Sequence, residues 1–136
     1  MKRLFANGPA VELSVLTRYI FQRNHYSKGS AKPAAFLPPP TKNVVSMQFI
    51  DDMLESDIWI IGDAVGKERQ KAAIARADLK KESVLATGLS ITLTPGVQVP
   101  GLQSNHANVG GWPSEKDEQK AIAVELCAQS QLCVRP

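Results

Sequence analysis

Cysteine is scarce in this chain. Only Cys127 and Cys133 occur among 136 residues, six apart near the C-terminus, so no disulfide framework is implied and zinc lacks the soft ligands it needs. Both are expected to be reduced packing residues, because free cysteine behaves as a small hydrophobe. Long apolar runs are missing too. The longest strongly apolar stretch near the middle is Ile58-Trp59-Ile60-Ile61, far below the roughly 20 residues that cross a bilayer, so no membrane span is expected. At the start, Met1 to Ala6 has the look of a charged leader, but Asn7, Gly8, Pro9 and Glu12 interrupt any apolar signal core, and no secretion is expected. The chain reads as soluble and cytoplasmic. Aromatics make up only 6% of it, which leaves a mostly aliphatic core.

Signature motifs are absent as well. There is no Walker loop, no Gly-x-Gly-x-x-Gly after a strand, no Gly-x-Ser-x-Gly, no His-Glu-x-x-His and no cysteine beside a histidine, which removes the common nucleotide-binding, hydrolase and zinc-protease readings. The ribonucleoprotein motif, helix-turn-helix, KH and paired-cysteine finger signatures are missing too. No repeat or low-complexity tract occurs. No cofactor and no metal are expected.

What is present is a polarised charge. Lys2, Arg3, Arg18, Arg23, Lys28, Lys32 and Lys42 face one acid, Glu12, in residues 1–42, a balance of 7 minus 1, or +6. Residues 43–136 hold nine bases and twelve acids, or −3. Such asymmetry points to an anionic partner, either nucleic acid or an acidic protein surface.

The length suits a single domain, 1–136, burying about two-thirds of its unfolded surface. Hydrophobic content of 43% against 21% charged argues for a folded globule rather than disorder. Residues 10–21 alternate Leu13, Val15, Thr17, Tyr19 and Phe21, and their β-branched and aromatic content favours a strand over the helix that Pro9 would suit at its first position. Residues 22–42, ending in Pro38-Pro39-Pro40, read as a long ordered loop or polyproline II arm. A strand is expected over 43–50. Asp52 and Glu55 have capping-box spacing before Leu54, Ile58, Ile61 and Val65, predicting a helix over 53–65 closed by Gly66, with Trp59 flanking the core. Residues 67–83 could extend that helix, or Ala73 to Leu79 could run extended. Leu89 to Thr94 alternates as a strand with Leu89, Ile91 and Leu93 inward. Three prolines and four glycines over 95–113 predict a second long loop without a long regular element. Ser114 then caps a helix over 115–129, with acids in its first turn, and Leu132 to Val134 makes an edge strand. The sum is an α+β fold, a mainly antiparallel sheet packed by one or two helices, with two long Pro/Gly-rich loops.

Three groups could carry chemistry. Arg18, Tyr19, Arg23, Tyr26 and Lys28 interleave bases with rings, a composition suited to single-stranded nucleic acid; the competing reading packs the rings inward and leaves the bases solvated. His25 and His106, the only histidines, could serve as acid and base on a phosphate-containing substrate if they converge, with Arg23 orienting the phosphate; a loop-tethering hydrogen bond is the plainer role. Gly110 and Gly111, before a helix start, could offer backbone donors to an anion, or Trp112 and Pro113 could staple that helix. The acid pairs Asp51–Asp52, Asp57 with Asp63 and Asp117–Glu118 read as helix-start and solvated-face residues. The favoured function is therefore a binding module whose basic, aromatic N-terminal third engages an anionic partner, with nucleic acid the leading candidate. A small enzyme on a phosphate-containing substrate is the alternative.

Overall fold

The computed structural model describes residues 2–4 and 10–136. Asn7, Gly8 and Pro9, with the readings that fell on them, lie outside the described residues. The strands are β1 (Lys2–Leu4), β2 (Ala10–Glu12), β3 (Val15–Ile20), β4 (Tyr26–Ser27), β5 (Ser30–Ala31), β6 (Val45–Phe49), β7 (Ala75–Lys80), β8 (Ser90–Leu93), β9 (Asn105–Gly110) and β10 (Gln131–Val134). The helices are α1 (Glu55–Lys67), α2 (Lys81–Leu85) and α3 (Lys116–Gln129), with 3-10 turns at Arg23–His25 and Pro33–Phe36. Six strands form one sheet in the order β10-β7-β3-β6-β9-β8, and every neighbouring pair is antiparallel. This is a small α+β domain.

The period-2 alternation of the strands divides the core between the sheet's two faces. Leu16 and Ile20 of β3, Ala75, Ala77 and Leu79 of β7, and Ala107 and Val109 of β9 join the larger cluster, where Val84 of α2, Ala123 and Leu126 of α3, and Phe36 meet them. Tyr19 of β3 goes instead to a smaller cluster with Ile58, Trp59 and Ile61 of α1. Here the Tyr19 hydroxyl donates to the Ile58 carbonyl at 2.5 Å, and the Trp59 ring is in cation–π contact with the guanidinium groups of both Arg76 and Arg135. Trp59 is a core residue, 5% exposed.

Several local expectations are corrected. Asp52 caps nothing: it sits in a turn at φ 58, and α1 starts at Glu55, behind Leu54, with no side-chain cap bond. Asp51 holds the start of β3, its carboxylate accepting from the Ser14 amide at 3.0 Å, the Ser14 hydroxyl at 2.7 Å and the Val15 amide at 3.1 Å. Gly66 does not close α1, which runs on to Lys67, and the reversal that follows uses Gln70 at φ 55. Ser114 is likewise not the cap of α3; Glu115 occupies that place without a side-chain bond, while Asp117 and Glu118 do sit in the first turn.

Residues 67–83 resolve into a turn, β7 and α2, so Ala75 to Leu79 is extended. Of the two long loops, 22–42 packs as cover: the β4–β5 pair and the Pro33–Phe36 turn bury Ala31, Ala35 and Phe36. Within 95–113, residues 105–110 are β9, an interior strand between β6 and β8. Polar Asn105, His106 and Asn108 hide it from a composition reading, although Ala107 and Val109 alternate to the core face.

Candidate anion-binding cleft

The sheet opens at one point. β3 pairs with β6 only at Leu16–Phe49 and Thr17–Gln48. β6 nevertheless continues along β9 to Val45–Val109, and β3 continues along β7 to Ile20–Ala75. Arg18, the first β3 residue past the shared ladder, fills this parting: its Nε donates to the Ala35 carbonyl and its Nη1 to the Ser46 carbonyl, each at 2.9 Å.

Beside it lies a cavity of about 320 Å³. Arg18, Tyr19 and Phe21 line it from the β3 side, Ser46 to Gln48 from β6, Val65, Glu68 and Arg69 from the end of α1, and Pro95 to Val97 from the following loop; His106 and Lys42 complete it. Lys42, Ser46, Glu68 and Arg69 are exposed, so they form the rim, whereas Gln48 is buried and Arg18 and His106 are half-buried within. The Arg69 guanidinium lies 5.8 Å from the Phe21 ring centroid, a distance at which a cation is held over a ring face. A second, smaller recess adjoins the first, sharing Arg18, Tyr19, Phe21 and Arg69 and adding His25, Gln22, Ala35 and Lys71.

Among the described residues none of Arg18, Lys42 and Arg69 makes an ion pair; the pairs formed are Arg76 with Glu55 and Asp78, Lys81 with Glu12, and Arg135 with Asp63. Burial, and to a lesser degree the neighbouring Arg69, lowers the Arg18 pKa to about 10. The same positive surroundings act on His25, whose pKa is lowered by burial, then by Arg18 and Lys71. The His106 pKa is lowered by burial, opposed by a hydrogen bond with the Thr94 backbone; its Nδ1 also lies 2.7 Å from the Thr94 hydroxyl. Among the described residues two buried side-chain atoms lack a hydrogen-bond partner, Asn105 Oδ1 and Gln48 Nε2, and of these residues Gln48, 2% exposed, lines the cleft.

Of the residues that sequence reasoning singled out, the structure brings Arg18, Tyr19 and His106 to the cleft and His25 to the adjoining recess. The two histidines line different recesses with Arg18 common to both. Tyr19 is not an open stacking face, being buried with its hydroxyl engaged. Tyr26 packs against the larger core cluster. Arg23 and Lys28 are exposed and line neither recess. Gly110 ends β9 opposite Ser90, and Gly111 turns at φ 81; four residues separate Gly111 from the start of α3, so these amides do not form a helix-terminal cradle. The Trp112 indole is buried and donates to the Val109 carbonyl at 3.0 Å. Lys42, Gln48, Glu68 and Arg69 escaped the sequence reading. Lys42 was visible as charge alone, and the period-2 pattern of 45–49 puts Gln48 on the face of exposed Ser46, so its burial has no local signal.

Both cysteines are free and half-buried, with thiol pKa values raised chiefly by burial. No helix among the described residues is long and apolar enough to cross a membrane. No family model, no curated protein and no solved structure matches this chain.

The histidines give the fold a pH dependence. Each has a native pKa below the ordinary 6.5, so on acidification the unfolded chain takes up protons before the native one does. Their contribution is therefore fully present above about pH 6.5 and is lost as pH falls through that value toward the native pKa. Urea denaturation across this window should show stability falling with pH, and His106→Gln should flatten the slope. An unchanged slope in that variant would show that burial does not disfavour the imidazolium.

Proposed function

We propose that this protein is a non-enzymatic binding module that engages an anionic partner, with nucleic acid the leading candidate, through the cleft at Arg18. The observation that supports it is Arg18 itself: a partly desolvated guanidinium held by two carbonyl groups, beside Arg69, with no carboxylate partner among the described residues. Withdrawing a charge from water is costly unless an opposite charge arrives to offset it, and an incoming anion would supply one. Exposed Lys42 and Arg69 at the rim add long-range attraction, and Phe21, with the Arg69 guanidinium 5.8 Å from its ring centroid, adds an aromatic surface to the cleft. Arg23 and Lys28 then serve as outlying steering charges. Two free, poorly acidic thiols suit a reducing, cytoplasmic setting.

The phosphate-directed enzyme is the weaker reading, since an acid and base acting on one substrate need a common pocket, and His25 and His106 occupy neighbouring ones.

The test is anisotropy titration of a labelled single-stranded oligonucleotide over a salt series. Log affinity should fall against log salt with a slope between about −0.7, if Arg18, Lys42 and Arg69 share one phosphate, and about −2, if each meets its own, from roughly −0.7 per contact on single strands. Charge reversal at Lys42 and Arg69 should weaken binding and shrink that slope. Absent or salt-independent binding rejects the nucleic-acid version and leaves an acidic protein surface as the partner to test.

A further inference from the structure

We infer that the cleft is built to receive one terminal phosphate group, a phosphomonoester entering end-on. This rests on the anion-binding reading above and names the chemical group that the site takes.

Three observations converge on it. First, unsatisfied donors belong to residues that line one cavity. Arg18 uses two of its N–H groups on carbonyls, out of the roughly five a guanidinium carries, and Gln48 Nε2, buried on the same cavity wall, uses none. A buried donor without an acceptor costs about 1–3 kcal/mol, so the oxygens of a tetrahedral oxyanion would satisfy groups that the fold leaves unmet. Second, the charge count selects the anion. Arg18, Lys42 and Arg69 against Glu68 leave a surplus of two positive charges in the lining, matching the charge of about −1.5 to −2 on a phosphomonoester at neutral pH; a carboxylate or an internal phosphodiester brings only one. Third, the walls decide the approach. β3, β6, the end of α1 and the Pro95 to Val97 segment all contribute to the cavity lining. Gly96 rests so closely on His106 that a Cβ there would overlap the imidazole's own Cβ. An internal phosphodiester, carrying a sugar on either side, needs a groove open at both ends. A terminal phosphate needs only one mouth, and Lys42 and Arg69 are the exposed cations of the lining that would meet it there.

The same group is carried by a small phosphorylated metabolite and by the phosphorylated end of an oligonucleotide, so the experiment uses both. Binding is measured at fixed salt for a terminally phosphorylated oligonucleotide, the same strand ending in hydroxyl, a nucleoside monophosphate and inorganic phosphate, with native-like circular dichroism checked for every variant. The wild type should prefer the phosphorylated strand by roughly tenfold or more, the scale of one or two charge-assisted hydrogen bonds. Gln48→Leu, which keeps the volume and removes the donor, and Arg18→Met should each abolish the preference while leaving residual salt-dependent binding. Should Arg18→Met fail to fold, Gln48→Leu together with Arg69→Gln carries the test.

Equal affinity for both strands, unaffected by these variants, overturns the terminal-phosphate inference and leaves the module reading standing. Binding of the monophosphate or inorganic phosphate alone, lost in Gln48→Leu, supports the inference with a small-molecule source and rejects the nucleic-acid reading. No binding of any of the four overturns the terminal-phosphate inference and the nucleic-acid version together, and leaves an acidic protein surface as the partner.

Discussion

Replacing Gly66 with alanine is expected to destabilise the fold by about 3 kcal/mol or more, at the upper end for overpacking. In a free helix the same change would stabilise by about 1 kcal/mol, since glycine is a poor helix former, so the environment reverses the sign. A Cβ at Gly66 would overlap the Lys71 carbonyl oxygen and lie 2.7 Å from Cε1 of Phe21. Lys71 cannot easily retreat. Its amide donates to the Gly66 carbonyl at 3.0 Å, as does that of Arg69 at 2.9 Å, so the methyl would push apart a turn that the same residue's carbonyl holds together. Phe21 and Arg69 are also cleft residues, and the disturbance should reach the site. Urea denaturation of the purified variant checks this. A midpoint equal to or above that of the wild type would mean that the turn after α1 does not press on Gly66.

That glycine also shows how far the sequence can be read. Its position after Ile61 and Val65 marked a helix end correctly to within a residue, yet for the wrong reason: the left-handed residue of the reversal is Gln70, and Gly66 is there for close approach. Apolar periodicity placed β3, β6, β8, α1, α3 and the β10 edge, because each carries its own buried face in local order. Strand β9 stayed hidden because an interior strand here alternates Asn105, Ala107 and Val109 with His106 and Asn108, and the surrounding prolines and glycines dominate the composition. Its partners are supplied by β6 and β8, over 40 residues upstream in the first case, and no local pattern carries that.

The cleft divides in the same way. Arg18 was legible as a base among aromatics. Its lack of a counter-charge was not, because that depends on where the β3–β6 ladder stops and on which acids the other arginines have taken. Arg76 and Arg135 are both claimed by carboxylates, while Arg69 comes from a segment outside the basic N-terminal third. The cationic concentration is thus assembled from two parts of the chain, with Arg18 and Lys42 from the first and Arg69 from the second; Arg23, Lys28 and Lys32 remain on the exposed surface.

Truncating Trp59 to alanine should lower the melting temperature by about 15 °C. Phe or Trp to Ala in a core costs about 3–5 kcal/mol, and in a domain of this size each kcal/mol shifts the midpoint by about 4 °C. The ring lies 5.0 Å from the Arg76 guanidinium carbon and 5.3 Å from that of Arg135, and its Nε1 donates to Glu55 at 3.1 Å. Arg76 forks onto Glu55 at 2.7 and 3.1 Å, and Arg135 onto Asp63 at 2.6 and 2.9 Å. Trp59 therefore sits where α1, β7 and the chain after β10 are joined, and its loss leaves a cavity beside Arg76, itself 5% exposed. Trp59→Phe separates the contributions: it keeps a ring against the two cations and loses the indole donor, so it should cost only about 1–2 kcal/mol. Calorimetry distinguishes the outcomes. If Trp59→Ala melts within a few degrees of the wild type, the guanidinium–indole stack is not what holds α1 on the sheet, and the burden passes to Ile58, Ile61 and the Tyr19 hydroxyl bond.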